Sequence, residues 1–267
     1  MFKLRSWGWA LVLAIAVGGV VFGQSLALSK NSLTHSIENI PMPKLENPLR
    51  ILTPANEIFE IASCSTKDFG FAITNAQIPP GAGPLPHVHY YINEFFWPPQ
   101  GGIEIFHSER KFPDMGKPPT MEAAGRASLY AITPQPKQVI YSPHTFMHGF
   151  VNPTDETLPI TMIWVRDAIA PDFEYHDGGM REYFSAVGAH IEDLNNLPTL
   201  TEAQRNAFVT EAPKFGINQS SYMMQYVSAI SDEFPSNLAK LENTQALTKV
   251  IETIEAFNRG DKSVTCS

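Results

Sequence analysis

The stretch GAGPLPHVHYYINEFF, residues 81–96, sets two histidines and a glutamate between turn-forming residues and aromatic ones. Side chains alternate along a β-strand, so His87 and His89 point to the same face, about 7 Å apart. Two imidazoles placed in this way can bind one metal ion. Glu94 is an odd number of residues after His89, so in one uninterrupted strand it would point to the opposite face. We therefore predict a tight reversal through residues 91–93 that returns its side chain to the same cavity.

A third histidine lies in the stretch YSPHTFMHGFVN, residues 141–152, where His148 follows a strand and a proline turn. Three imidazoles and one carboxylate suit Mn, Fe, Co, Ni, Cu or Zn much better than Mg or Ca. They leave one or two coordination positions open, which is typical of a catalytic rather than a structural metal. We therefore predict that one divalent transition metal ion binds to His87, His89, Glu94 and His148, with its identity left open.

The first stretch resembles the first motif of the cupin family. That motif is a glycine, five residues, His-x-His, three or four residues, a glutamate, six residues and a glycine. The matching positions here are Gly81, His87, His89, Glu94 and Gly101. Every position of the motif is present, so this is the more specific of two resemblances.

The second stretch is similar to the second cupin motif: a glycine, five residues, Pro-x-Gly, two residues, a histidine, three residues and an asparagine. Pro143, His148 and Asn152 match, whereas Lys137 and Thr145 stand where the motif has glycines. Because glycines shape turns, these replacements put the loop geometry in question more than the ligation. We expect Asn152 to bond backbone groups rather than the metal.

The chain around these motifs alternates short apolar runs with turn residues, in keeping with its 22 Pro and 17 Gly. This pattern favours a mainly β sandwich or barrel. The cupin resemblance implies a double-stranded β-helix, or jelly-roll barrel. The break at Ser108–Gly125 is either a lid over a cavity or a tolerated insertion. The predicted strands are Ile58–Ala62, Phe69–Ile78, Glu94–Trp97, Ile103–Phe106, Ser128–Ile132, Val139–Ser142 and Ile160–Val165.

The predicted organisation has four parts. They are a signal peptide at 1–27, a linker or N-terminal arm at 28–50, the cupin barrel at 51–168 and a helical C-terminal extension at 169–267.

Two helical patterns mark the C-terminal extension. One begins with a cap at Thr201 and ends by Gly216. The other repeats apolar residues three and four apart between Leu238 and Phe257 and closes at Gly260. We expect these helices to pack on the barrel or on a sister subunit.

The N-terminus has the features of an export signal. Lys3 and Arg5 precede an apolar run at 7–22, and the small residues Gly23 and Ala27 follow it. The run is short for a spanning helix, which needs roughly 17–25 residues. We predict a cleaved signal peptide and a periplasmic or secreted protein without stable membrane insertion. The alternative is an uncleaved N-terminal anchor.

Cysteine usage and charge narrow the function classes. Cys64 and Cys266 can pair in an oxidising compartment and tie the C-terminal tail to the first strands; the alternative is two free thiols. The formal charge of −8 comes with no basic block beyond the N-terminus, so we predict no nucleic-acid partner. The sequence also contains no Gly-x-Ser-x-Gly, phosphate-loop or dinucleotide motif, which argues against hydrolase, kinase and dehydrogenase functions.

Two further histidines lie near the motifs. His144, four residues before His148, is either a ligand or hydrogen-bond donor at the site, or a surface turn residue. His107, at the end of a predicted strand, is expected to be exposed.

Aromatic residues cluster around the ligand motifs. They form either ordinary barrel core or the walls of a pocket for a flat or apolar substrate. If Glu94 faces the cavity, Phe96 does so too, while Phe95 and Trp97 face the outer layer. The cluster is Tyr90, Tyr91, Phe95, Phe96, Trp97, Phe146 and Phe150.

The segments REYFSAVG at 181–188 and EAPKFGI at 211–217 look like the region after the barrel in quercetinase-like cupins. The resemblance implies a metal-dependent dioxygenase acting on a small substrate, with an aromatic one as an option. Glu94 would also act as general base on a substrate hydroxyl, which needs a raised pKa. The alternatives are a non-enzymatic exported cupin that binds a small molecule or metal, and a metal-dependent isomerase or decarboxylase. Cupins are often dimeric, so a homodimer is a further option.

Overall fold

The structure is a computed structural model that describes residues 37–84, 86–116, 129–167, 173–219 and 243–267. All of them belong to the compact unit Asn31–Ser267. The predicted signal peptide at 1–27 lies outside the described residues. No helix within the described ranges is long and apolar enough to cross a membrane.

The described chain is mainly β, with three α-helices and a 3-10 turn. The helical segments are α1 Met180–Val187, α2 Glu202–Thr210, the 3-10 turn Ala212–Phe215 and α3 Thr244–Asn258. The strands are β1 Leu49–Leu52, β2 Ile58–Ser65, β3 Gly70–Ile78, β4 His87–His89, β5 Ile92–Trp97, β6 Glu104–Lys111, β7 Leu129–Ile132, β8 Ile140–Ser142, β9 Phe146–Val151, β10 Leu158–Arg166, β11 Ala189–His190, β12 Ile217–Gln219 and β13 Thr265–Cys266. Each of the seven strands predicted from the sequence overlaps a strand of the structure, although several ends differ, and Ser128 lies outside the described residues.

The strands form two antiparallel sheets. One has the order β11-β1-β2-β3-β10-β5-β8, with β13 also on β2, and the other has the order β12-β4-β9-β6-β7. Strands adjacent in sequence often lie in opposite sheets, as in a jelly roll. The predicted double-stranded β-helix, or jelly-roll barrel, with a helical C-terminal extension is confirmed.

The chain changes sheets directly after the His-x-His pair. β4 pairs with β9 and β12, whereas β5 pairs with β10 and β8. Only Tyr90 and Tyr91 connect β4 to β5. The reversal expected at residues 91–93 is therefore a two-residue crossover between the sheets, and β5 begins at Ile92.

The loop prediction at Ser108–Gly125 needs a correction at its start. Ser108 lies in β6, which continues to Lys111, because Ser108 pairs with Leu129 of β7. Residues 117–128 lie outside the described residues.

Two hydrophobic cores lie on opposite faces of the first sheet. Phe96, Phe150 and Trp164 belong to the core between the sheets, whereas Phe95 and Trp97 belong to the outer core under α3. The predicted alternation of β5 is thus confirmed. Burying side chains of this size stabilises the fold by roughly 1.5–3 kcal/mol each. Since both faces of β5 are covered, the orientation of Glu94 is fixed.

The C-terminal extension contributes strands as well as helices. The start of the second predicted helical pattern, at residues 238–242, lies outside the described residues, and α3 begins at Thr244. Thr201 caps α2 in a capping box: its side chain accepts from the Gln204 amide, and its own amide donates to the Gln204 side chain. The strands β11, β12 and β13 extend both sheets. β13 carries Cys266, which forms a disulfide with Cys64. Closing a loop of 202 residues stabilises the folded chain by about 5 kcal/mol in the chain-entropy account.

Candidate metal centre

The four predicted ligands come from three strands and both sheets. His87 of β4 lies directly opposite His148 of β9, so the two side chains point to the same face of the second sheet. His89 joins them because it is two residues along the same strand. Glu94 reaches them from β5 in the facing sheet, where its neighbours are Trp164 and Ser142.

The ligand atoms converge in the barrel interior. His87 Nε2 lies 3.2 Å from His89 Nε2. The Oε2 atom of Glu94 is 3.2 Å from His89 Nε2 and 2.8 Å from His148 Nε2. All four donor atoms lie within 4.8 Å of one another, and all four residues are buried.

This spacing suits a shared metal ion. Two ligand atoms each about 2.1 Å from a metal, at a right angle to one another, are about 3.0 Å apart. The separations of 2.8–3.2 Å between neighbouring donors match that value. Nitrogen and carboxylate donors together fit a divalent transition ion, so the residues present fit the metal that the motifs predict.

The ionisation states also favour a cation. Burial raises the pKa of Glu94, but hydrogen bonds with His148 and His89 outweigh it and lower the pKa to about 2. Burial lowers the pKa of His89, and Glu94 only partly offsets this. A charged carboxylate and a neutral imidazole are the forms that bind metals.

His148 is oriented by groups behind it. Its Nδ1 lies 2.7 Å from the Oγ atom of Ser142 and 3.1 Å from the carbonyl oxygen of Phe146. Because that carbonyl can only accept, it favours a proton on Nδ1. In a metal-bound centre, where the hydrogen bond between Nε2 and Glu94 is given up, the Nε2 lone pair is then left for the metal ion. Ser142 lacks a recognisable sequence signal, although its place opposite Glu94 follows from the strand register.

The loops that lack the motif glycines nevertheless adopt glycine-like backbone. Lys137 has φ 67° and Thr145 has φ 68°, both in the left-handed region. The Thr145 amide donates to the carbonyl of His89 at 2.6 Å, and the Thr145 carbonyl accepts from Phe112 at 2.6 Å. The turn geometry that the replacements put in question is therefore retained.

His144 lies outside the convergent group. Its Nδ1 is 2.9 Å from the Oδ2 atom of Asp167, and its backbone amide donates to the side chain of Asn93. The structure thus places His144 in a turn that is tied to β5 by hydrogen bonds.

The expectation that His107 is exposed was wrong. His107 is 2% exposed, because β6 continues past it and pairs it with His148 of β9. Its Nδ1 lies 2.8 Å from the carbonyl of Ser108, and burial together with His148 lowers its pKa to about 3. It is a neutral histidine beside the metal centre.

The Asn152 side chain forms hydrogen bonds with backbone groups, as predicted. Its side-chain amide donates to the carbonyls of Ile78 and Glu156, each at 2.7 Å. It fixes the end of β9 and takes no part in the metal centre.

A cavity of about 350 Å³, mouth included, opens onto the metal centre. Of the aromatic cluster around the motifs, only Phe150 lines it, so most of that cluster is barrel core. The lining residues are His87, His89, Glu94, Glu57, Phe59, Pro84, Phe150, Met162, Trp164, Tyr183, Phe184, Phe208, Ile217 and Gln219.

Sequence reasoning missed a second carboxyl group in this cavity. Glu57, the residue just before β2, is 1% exposed and accepts a hydrogen bond of 2.6 Å from the hydroxyl of Thr53. Burial raises its pKa to about 8, and the charge of Glu94 adds to the rise, against the Thr53 bond. Glu57 is therefore a neutral acid at pH 7.

No protein-family model matches this chain, and no curated protein matches it. Several solved structures are similar to parts of it. An oxalate oxidase in complex with the substrate analogue glycolate is 13% identical over 57% of this chain and 68% of that one, with a TM-score of 0.29. KdgF from Halomonas sp. is 17% identical over 46% and 91%, with a TM-score of 0.30. A cupin domain from Bordetella pertussis is 13% identical over 48% and 93%, with a TM-score of 0.26. Similarities at this level leave the activity and the substrate open.

Proposed function

We propose that this chain is a metal-dependent cupin enzyme, and more specifically a dioxygenase of the quercetinase-like kind acting on a small substrate with a flat, apolar body. One observation carries the proposal: a buried cluster of three histidines and one glutamate faces an aromatic-walled cavity. A purely structural metal site would be closed by protein ligands, whereas this one borders space for a ligand.

His87, His89, Glu94 and His148 would hold one divalent transition metal ion. When bound, such an ion supplies Lewis acidity and, if it is redox-active, the electron transfer that reactions with dioxygen need. The chain itself contributes the ionisation states and the fixed orientation of the four ligands.

The cavity walls would bind and orient the substrate. Phe59, Trp164 and Phe184 are packed against one another, with ring centroids 4.8–6.3 Å apart, and all three line the cavity. Rigid aromatic walls favour a planar, apolar molecule and exclude water from its reacting end.

Glu94 suits the role of ligand better than that of general base. A base working near neutral pH needs a raised pKa, whereas the hydrogen bonds with His148 and His89 lower that of Glu94 to about 2. We therefore propose Glu94 as a metal ligand first.

The test is metal content beside oxygen uptake. The full chain, a His148→Ala variant and a matched His144→Ala control are purified, and metal per chain is measured. Oxygen consumption is then followed with flavonols, catechols and β-diketones. We expect about one redox-active transition metal per chain, retained in His144→Ala and lost with all oxygen uptake in His148→Ala.

Other outcomes separate the competing functions. Substrate conversion under strict anaerobiosis would replace the dioxygenase with an isomerase or decarboxylase. Ligand-induced thermal stabilisation without turnover would indicate a binding protein. No metal after reconstitution with each candidate ion would overturn the ligand assignment.

We also propose that the protein works outside the cytoplasm. The Cys64–Cys266 disulfide supports this, because such bonds persist mainly in oxidising compartments. Sequencing the N-terminus of the mature protein from culture medium or periplasm tests export and cleavage together.

A further inference from the structure

Glu57 is held at the cavity by the turn between β1 and β2. The Thr53 amide donates to the Glu57 carbonyl at 2.9 Å, and the Asn56 amide donates to the Thr53 carbonyl at 2.9 Å. Asn56 has φ 63°, a conformation that asparagine tolerates better than most residues. The turn therefore fixes both Thr53 and Glu57, which are 0% and 1% exposed.

The hydrogen bonds of Thr53 decide which oxygen of Glu57 is free. The Thr53 hydroxyl accepts from the backbone amide of Glu57 at 3.2 Å and donates to Oε2 at 2.6 Å. Oε2 therefore acts as an acceptor. When the carboxyl group is neutral, its proton is on Oε1, where it can be donated to a partner.

The surroundings of Glu57 favour this neutral form. Burial disfavours a charge on Glu57, and the charged Glu94 of β5 adds a smaller effect in the same direction, so the pKa of Glu57 rises to about 8 against the Thr53 hydrogen bond. Tyr183 of α1 donates its own hydroxyl to the Phe208 carbonyl at 2.6 Å. The Tyr183 proton is thus already used, so Tyr183 does not compete with Glu57 as a donor for a ligand.

We propose that Glu57 is a substrate-contacting residue that donates a hydrogen bond from its carboxyl group to an oxygen of a small, mostly apolar substrate. This rests on the proposed function in taking the cavity at the metal centre as the substrate site. Apart from Glu57, the metal ligands and Gln219, the cavity lining is largely aromatic and aliphatic. The substrate class is therefore an apolar molecule, such as an aromatic ketone or enol, that carries an oxygen acceptor for Glu57.

A matched pair of probes tests this contact without turnover. Acetophenone and ethylbenzene have similar shapes, but only acetophenone has a carbonyl acceptor. Their dissociation constants are measured at neutral pH for the full chain and three variants. Glu57→Met removes the donor, Glu57→Gln keeps an amide donor while its oxygen accepts from Thr53, and Glu60→Met is the control. Glu60 lies nearby in β2 but pairs with Arg50 outside the cavity lining.

We expect the full chain to prefer acetophenone by about tenfold, the size of one buried hydrogen bond. Glu57→Gln and Glu60→Met should keep that preference, and Glu57→Met should lose it while still binding ethylbenzene. If Glu57→Met weakens both probes equally, Glu57 is merely structural and the proposal is overturned. A loss of preference in Glu57→Gln also overturns it, and this variant decides the matter if Glu57→Met fails to fold.

The same samples keep this proposal separate from the proposed enzyme function. Metal content and oxygen uptake are measured beside probe binding. A chain without metal or turnover that still shows the Glu57-dependent preference would refute the dioxygenase but support the contact. A metal-loaded, active chain with no such preference would support the dioxygenase but refute the contact with Glu57.

Discussion

Glu94 and Glu57 are two buried carboxyl groups of one cavity, held by different partners. Glu94 shares hydrogen bonds with the imidazoles of His148 and His89, whereas Glu57 accepts one from the neutral hydroxyl of Thr53. Burial raises the pKa of both groups. The imidazoles outweigh burial and lower the pKa of Glu94 to about 2, whereas that of Glu57 stays at about 8.

The difference shows that the hydrogen-bond partner, more than the extent of burial, decides the charge of a carboxyl group here. A charged carboxylate beside three imidazoles is suited to bind a cation. A neutral acid beside aromatic walls is suited to donate a hydrogen bond. The same residue type is therefore suited to two different roles within one cavity.

The largest expected effect is on the pH dependence of stability at the Glu57 end. Between the unfolded-state pKa of 4.5 and the folded-state value of about 8, the folded chain binds one more proton than the unfolded chain. Stability therefore falls as pH rises through this window. At 1.36 kcal/mol per unit, the total is up to about 5 kcal/mol.

Urea unfolding of the metal-free protein from about pH 5 to about pH 8 measures this slope. The free energy of unfolding of Glu57→Gln should vary less with pH, by about that amount, because the glutamine side chain does not titrate. Glu60→Gln, altered at an acid on the surface, should follow the unmodified chain. Parallel curves for the unmodified chain and Glu57→Gln would show that Glu57 is charged when folded, and the comparison with Glu94 would fail.

The Glu94 end of the cavity could be predicted from the sequence because its chemistry is local. Period two places His87 and His89 on one face, and the match to the cupin motifs adds Glu94 and His148. The one local error is the reversal at residues 91–93, because sequence parity does not reveal which sheet a strand joins.

The Glu57 end could not be predicted, because its burial depends on distant parts of the chain. The stretch TPANE at residues 53–57 reads as an ordinary turn. The cavity beside it is lined by Tyr183, Phe208 and Gln219, from α1, α2 and β12. Nothing in the sequence around Glu57 indicates that these elements will cover it.

His107 shows the same limit at a strand end. The apolar run stops at Phe106, so the sequence pattern predicted an exposed histidine. Pairing with β7 and β9 extends the strand to Lys111 and buries His107. Tertiary pairing, rather than local hydrophobicity, sets this boundary.

The next largest effect is on metal affinity, where substitutions of the two carboxyl groups should differ. Glu94→Gln should weaken Co²⁺ binding at least 100-fold, or about 3 kcal/mol, because the amide replaces the anionic ligand. Glu57→Gln should change the affinity by less than about twofold, since it leaves the charged ligand in place. Competition with a chelating dye at neutral pH measures both. Equal losses would mean that Glu57 also belongs to the metal site.

A smaller effect is expected from the hydroxyl group behind His148. Ser142→Ala removes the 2.7 Å contact with Nδ1 but leaves the Phe146 carbonyl in place. Loss of such a supporting group lowers metal affinity roughly 10- to 100-fold. Because the Phe146 carbonyl remains, we expect a loss near the lower end of that range. Ser63→Ala on β2 is the control and should bind the metal normally. An unchanged affinity in Ser142→Ala would show that the carbonyl alone orients His148.

The smallest effect concerns the turn that leads into β8, the strand beside Glu94. Lys137 holds φ 67° there, which costs a residue with a Cβ roughly 1–2 kcal/mol. Lys137→Gly and Lys137→Ala both remove the ion pair with Glu38, so the difference between them isolates the backbone. Glycine should be the more stable variant by about 1 kcal/mol, the reverse of its effect in a regular strand or helix. If alanine proves equal or better in chemical unfolding, the turn is not left-handed. The loop that leads into β8 would then have a different geometry from the one that the motif glycines imply.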